Sequence, residues 1–373
     1  MANQERVARE QAQLNRALSR FQGEIEHELR DLFVTTQTEP DLQSFYGQMA
    51  YHLGWVDSDL QPVSLPAGKL LRPGLLLWAC DLAALANEAD EATRQQRHQQ
   101  ALPAAAAVEL VHNFSLIHDD IEDRDQLRRG RPTVWSIWGE PQAINVGDGM
   151  FALARLALWR TLSVGLAPSI AVELAEMLDR TCLRLCEGQH RDMVSEASAT
   201  VTPVMYLDTI ARKTAALMRT STAIGGRIGA PDDAAISTAL ADFGEVLGIA
   251  FQLRDDLLGI WASSSESGKT AAGDLRRKKM SLPVIQALAT ATATERKKVL
   301  AIYRAPAEPT DAQIALLLDI LERRAHAWCR AQLADYCQQA HADLQKACSA
   351  ATESEPALAL GAMIDYIAIA AHD

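Results

Sequence analysis

Along residues 4–33, apolar positions recur at intervals of three, four and seven. Leu14, Leu18, Phe21, Ile25 and Leu32 fall on one face, with acids and bases between them. That period predicts an amphipathic helix whose work is packing. A turn-rich interval follows, "VDSDLQPVSLPAGKLLRPG", with prolines at 62, 66 and 73. Long helical patterns then run over 74–88, 101–123, 141–164, 168–197, 203–228, 233–261, 281–304 and 310–346, with a last one from 355. The breaks between them carry turn chemistry, as in "RRGRP", "GLAPS", "GAPDD" and "RAPAEPT". The polar stretch 87–100 is expected to be a loop or an exposed helix end. No alternating strand pattern, internal repeat or linker between two cores interrupts this sequence. The expected architecture is all-α: a single large helical bundle forming one domain over 1–373, with 1–35 an N-terminal amphipathic helix of unassigned role.

Composition agrees. Hydrophobic residues make up 48% and aromatics only 5%, so alanine and leucine carry the apolar content and favour helices over sheets. A formal net charge of −12 excludes a bulk nucleic-acid binder, which needs a basic footprint. The 6 cysteines form no CxxC, and nothing near Cys182 and Cys186 completes a zinc site, so reduced core thiols are expected. The amino terminus lacks the apolar segment of a signal peptide, and no uncharged apolar run reaches the ~18–20 residues that span a bilayer. A cytoplasmic protein without stable membrane insertion is the simplest expectation.

Charge patterning changes the picture. The helix "AAAAVELVHNFSLIHDDIED" closes on Asp119, Asp120 and Asp123. Spacing i, i+4 puts Asp119 and Asp123 on one face, where like charges oppose helix formation by a few tenths of a kcal/mol, about 0.2–0.5. The C-terminus of a helix is also the negative end of its dipole. A cation offsets both, and Mg²⁺ takes carboxylate oxygens together with waters and substrate phosphates. The plainer reading is a solvated helix end paired with its own arginines. Those arginines, Arg128, Arg129 and Arg131 in "LRRGRPT", can fold back through a Gly/Pro turn, and arginine is a bidentate partner of phosphate.

A second pair, Asp255 and Asp256, ends the apolar run "GIAFQLRDDLLGIW", with Gln252 on the same side of the helix. Bundle cores are where metal sites are built from facing helices. Basic partners are scattered: Lys69 and Arg72 in "GKLLRPG", Lys213 beside Thr214 in "ARKTAAL", and Lys269, Lys278 and Lys279 in "SGKTAAGDLRRKKMSLP". Each alone reads as a solvated charge. Together with two acid pairs they suit a diphosphate.

From about 68 to 285 these motifs resemble the trans-isoprenyl diphosphate synthases, or polyprenyl synthetases, of the short-chain type. "GKLLRP" is similar to the family's GKxxRP, "DDIED" with "LRRGRPT" to its first aspartate-rich motif, "GQHRD" to GQxxD, and "FQLRDD" to the second aspartate-rich motif. The resemblance implies a helical bundle around a deep central cavity, a homodimer, and condensation of an allylic diphosphate with isopentenyl diphosphate. Asp119, Asp120, Asp123, Asp255 and Asp256 would bind a cluster of Mg²⁺ ions, with Mn²⁺ able to substitute. Arg128, Lys213 and Lys279 would contact the allylic diphosphate, with Lys269 close by. Lys69, Arg72, His112 and Arg129 would hold isopentenyl diphosphate, and Thr214 and Gln252 would turn oxygens toward the allylic cation.

One departure is Gly259, where a third aspartate is often found. Product length depends on what closes the cavity under Asp119. Stepping down that helix face gives Phe114, with Ser115 beside it, then Val111. A phenylalanine there resembles the floor of short-chain synthases and predicts a C20 product, with C15 and C25 as neighbours. Ordinary core packing is the alternative for Phe114. A class I terpene cyclase and a non-catalytic partner subunit are the competing functions.

Overall fold

A computed structural model of the chain describes residues 2–37, 39–63, 65, 68–196, 201–262, 272–348 and 351–372. The fold is all-α. Two short helices, α1 (Ala2–Ser19) and α2 (Gln22–Thr36), stand where one amphipathic helix was expected. The rest of the N-terminal half is α3 (Gln43–His52), α4 (Leu71–Ala86), α5 (Glu91–Glu122), α6 (Val134–Trp138), α7 (Glu140–Trp159) and α8 (Pro168–Glu196). The C-terminal half holds α9 (Pro203–Ile210), α10 (Ala216–Gly229), α11 (Ala234–Trp261), α12 (Gly273–Arg276), α13 (Leu282–Thr290), α14 (Ala293–Arg304), α15 (Asp311–Leu321), α16 (Ala327–Cys348) and α17 (Glu355–His372).

Periodicity misplaced several boundaries. The stretch 91–100, expected as a loop or an exposed helix end, is the N-terminal part of α5, which the Asp90 carboxylate caps by accepting a hydrogen bond from Thr93 N (2.8 Å). Pro103 sits inside α5. The pattern over 281–304 is two helices, because Thr292 and Glu295 form a capping box that starts the second. The pattern over 203–228 is interrupted by a π turn at Ala211–Ala215. Gly188 of α8 packs on that turn so closely that a Cβ there would lie 2.5 Å from Lys213 N. The "LRRGRP" turn is a two-residue β-hairpin, Leu127 facing Pro132 and Arg128 facing Arg131.

One contiguous core joins the helices, with the small residues 104–107 of α5 fully buried. Helix α11 packs against α10 and α16. By length and composition it is the one helix among the described residues apolar enough to cross a membrane; here it carries the second acid pair. Cys80, Cys182, Cys329 and Cys337 are buried free thiols, as expected, and Cys186 is exposed. Helices α4 and α10 approach at glycines: a Cβ on Gly225 would lie 2.2 Å from Leu76 O, and one on Gly229 2.3 Å from Cys80 O. The N-terminal helices are firmly attached. Trp78 Nε1 donates to Ala17 O (2.9 Å), and His98 of α5 sits 2.9 Å from Asp81 Oδ1 of α4 and 3.3 Å from Glu24 Oε2 of α2.

Two outcomes follow from this packing. Gly225→Ala forces a methyl group into a backbone oxygen that cannot rotate away, and should lower unfolding stability by about 1–3 kcal/mol in urea titration. Burial works against a charged His98, but the hydrogen bond and charge of Asp81, with Glu24, outweigh it and raise the imidazole pKa above 6.5. Its stabilising contribution is therefore complete at low pH and lost as pH rises through the raised value. The stability gap between wild type and His98→Gln should narrow as pH is taken from about 6 to about 9.

Candidate active site

The C-terminal turns of α5 lie between two cavities. One, of about 640 Å³, is lined by Asp123, Asp192, Tyr206, Lys213, Gln252 and Lys279 among others. The second, of about 780 Å³, is lined by Lys69, Arg72, His112, Arg128, Arg129 and Asp255 among others. Asp120 lines the second. It is buried, and Arg128 grips its Oδ1 through Nε (2.8 Å) and Nη2 (2.7 Å). Its other oxygen, Oδ2, is buried without a hydrogen-bond partner among the described residues.

The first cavity assembles residues from α5, α8, the π turn and α11. Lys213 Nζ lies 2.8 Å from Asp192 Oδ2 and 3.8 Å from Asp119 Oδ1. A π turn adds one residue to the helix, and here that turn carries both Lys213 and Thr214. Thr214 Oγ1 donates to Gln252 Oε1 (3.0 Å), and Gln252 Nε2 donates to Asp256 Oδ1 (3.1 Å). Asp256 is almost wholly buried and heavily engaged. Tyr206 OH (2.5 Å) and Leu282 N (3.2 Å) donate to its Oδ2, and Lys279 Nζ stands 3.7 Å from Oδ1. Asp255 next to it lines the other cavity. The two aspartates of the second pair thus point different ways, as adjacent residues on a helix must.

Electrostatics separate the two cavities. Burial pushes the Asp119 carboxyl up to about 6, with Lys213 pulling it back and Asp123 pushing further. The protein alone therefore leaves this acid cluster under-compensated. In the second cavity burial, together with Arg72, Arg129 and Arg128, holds His112 well below 6.5. Arg72 Nη1 accordingly donates to a neutral His112 Nε2 (3.2 Å). Cations outnumber anions along that cavity, and Arg72 Nε is buried without a partner among the described residues.

Hard carboxylate oxygens with raised pKa values, and the orphaned Asp120 Oδ2, have the donor chemistry that suits Mg²⁺. No three His, Cys, Asp or Glu side chains among the described residues converge on one point. A divalent ion at this site would therefore have to complete its sphere with water and with oxygens of a bound ligand.

Below the aspartates, Phe114 meets Phe151 of α7 edge-on at 5.2 Å between ring centroids, and His118 at 5.9 Å. Val111 is fully buried, and Ser115 Oγ is turned back to His112 O (2.8 Å). Gly259 has a structural reason. The Asp274 carboxylate occupies the place a larger residue would need, with Oδ2 2.2 Å from a Cβ built there. Of the loop lysines, Lys269 lies outside the described residues, Lys278 is pinned to Ala307 O (2.7 Å), and Lys279 reaches Asp256.

Several contributors were not singled out in the sequence. Buried Glu109 sits in the second cavity and bears on Arg72 and Arg129. His52 of α3 lines that cavity too, its pKa pushed down to about 3 by burial and by Arg128 and Arg129. Tyr206, Asp274, Phe151 and Arg254 come from distant segments with no local pattern. Asp192 did have a signal, the "GQHRD" stretch.

Comparison with known proteins matches this geometry. The polyprenyl synthetase family model matches residues 55–347. The chain is 42% identical over 265 residues to a geranylgeranyl diphosphate synthase of Mycobacterium tuberculosis, covering 71% of each chain. It is 37% identical over 277 residues to a (2E,6E)-farnesyl diphosphate synthase of Mycobacterium bovis, covering 74% of this chain and 72% of that one. A crystal structure of a geranylgeranyl pyrophosphate synthetase from Pyrococcus horikoshii superposes with a TM-score of 0.78 at 28% identity, covering 99% of both chains. With acid clusters that need cations, cation clusters that need anions, and relatives that all build prenyl diphosphates, the chain belongs to the polyprenyl synthetase family and is a trans-prenyltransferase.

Proposed function

We propose that this prenyltransferase makes geranylgeranyl diphosphate (C20), with the allylic diphosphate in the first cavity and isopentenyl diphosphate in the second. The observation that carries this reading is the pair of cavities lined by the C-terminal turns of α5, one beside the under-compensated carboxylates and Lys213, the other lined mainly by arginine and lysine, with Phe114 packed on Phe151 one turn before the aspartates.

The allylic C–O bond breaks when the departing diphosphate is stabilised. One contact between unit charges at ~4 Å is worth about 4 kcal/mol at an effective dielectric of ~20. Lys213, Lys279 and Arg128 are held in advance by Asp192, Asp256 and Asp120, so little reorganisation accompanies ionisation. Asp119, Asp123 and Asp255 would hold Mg²⁺, whose charge would neutralise what remains of the diphosphate's negative charge. Lys69, Arg72, His112 and Arg129 bind the second diphosphate, and neutral His112 fixes the Arg72 guanidinium. The double bond of isopentenyl diphosphate then attacks the allylic carbon. The Thr214–Gln252 pair turns oxygen lone pairs toward that cation, and the proton lost leaves with the diphosphate.

The working form is a homodimer in the cytoplasm. Supporting the dimer, large exposed apolar side chains concentrate on α7, the turn after it and α8: Leu156, Trp159, Leu162, Val172 and Leu183.

Purified protein with Mg²⁺, isopentenyl diphosphate and dimethylallyl, geranyl or farnesyl diphosphate should yield geranylgeraniol after dephosphorylation, read by mass. Farnesol as the end product would overturn the C20 assignment, and a cyclic hydrocarbon would overturn elongation itself. Phe114→Ala should lengthen the product beyond C20 while elongation continues. Asp119→Asn should lower kcat by about 10²-fold or more, and a chelator should abolish turnover until Mg²⁺ is restored.

A further inference from the structure

The C-terminal helix lies beyond the segment that matches the family, 55–347, yet one of its side chains reaches the second cavity's cations. The Tyr366 ring of α17 has the Arg254 guanidinium carbon 4.1 Å from its centroid and Lys69 Nζ 5.4 Å from it. Both cations line the second cavity. Neither is otherwise well held. Lys69 is exposed on a turn and has no ion-pair partner among the described residues. The Arg254 side chain is only 13% exposed, its Nε is buried without a hydrogen-bond partner among the described residues, and its one carboxylate neighbour is Asp255 at 3.9 Å.

We propose that Tyr366 is a positioning residue for isopentenyl diphosphate, holding Lys69 and Arg254 at the second cavity through cation–π contacts. This rests on the assignment of that cavity to isopentenyl diphosphate. An aromatic face attracts ammonium and guanidinium groups electrostatically without neutralising them, so both keep their full charge for an incoming phosphate. A carboxylate in the same place would cancel them. The ring also competes with Asp255 for Arg254. Without the ring, Arg254 is free to close the 3.9 Å gap to Asp255 and mask it, while Lys69 regains the rotamer freedom of an exposed lysine.

The test is steady-state kinetics of Tyr366→Leu, Tyr366→Phe and Lys69→Ala in the full chain, varying each substrate in turn, with melting curves for each variant. Tyr366→Leu should raise KM for isopentenyl diphosphate about 5- to 30-fold, the range of one to two lost cation–π contacts, and leave kcat and KM for the allylic substrate near wild type. Tyr366→Phe keeps the ring and should restore KM. Equal values for the Leu and Phe variants, or a loss of kcat that tracks a lower Tm, would reduce Tyr366 to a packing residue and overturn the proposal. If Lys69→Ala also leaves KM for isopentenyl diphosphate unchanged, the assignment of the cavity fails, and the role of Tyr366 with it.

Discussion

The negative charge packed into the last turn of α5 is the constraint around which the site is arranged. Asp119, Asp120 and Asp123 stand at the negative end of a 32-residue helix whose preceding turns are buried. Water cannot fully solvate Asp119, and its pKa rises to about 6. Neighbouring elements each supply one positive partner. The hairpin brings Arg128 to Asp120, and the π turn brings Lys213 to Asp119. These partners balance the cluster in part, leaving it attractive to cations.

The second cavity is lined mainly by cations. Arg72, Arg128, Arg129, Arg254 and Lys69 surround few acids, and its histidines are kept neutral. In the proposed assignment the two diphosphates differ in how they are neutralised: one by a divalent metal together with Lys213 and Lys279, the other by guanidinium and ammonium groups alone. The Asp120–Arg128 pair ties the end of α5 to the hairpin at the second cavity. Phe114 lies on the helix that carries the aspartates and packs against Phe151 of α7, which in the proposed reading couples product length to the position of the reacting end.

How much of this was legible in the sequence depended on distance along the chain. Both acid pairs, Lys213 with Thr214, and Arg128 with Arg129 could be found because helical spacing or a tight turn fixes their relationship locally. The partners that complete them could not. Tyr206 reaches Asp256 across 50 residues, Phe151 meets Phe114 from another helix, and Asp274 explains Gly259 only through a contact from outside its helix. Helix boundaries failed for a similar reason: a side-chain cap at Asp90, a capping box at Thr292 and a π turn against Gly188 each overrode the hydrophobic period. The split of the second pair, Asp255 toward one cavity and Asp256 into a buried network, follows from helix geometry but needed the surrounding packing to acquire meaning.

The central claim is that the acid clusters do not form a metal site alone and become one only when a diphosphate supplies the missing oxygens. The most direct measurement is the melting temperature of the wild-type protein with Mg²⁺ alone, with inorganic pyrophosphate alone, and with both. A rise with both that exceeds the sum of the separate rises is the predicted result, because each ligand completes the site for the other. If Mg²⁺ alone produced the full rise, the protein would hold a preformed metal cage, contradicting the account.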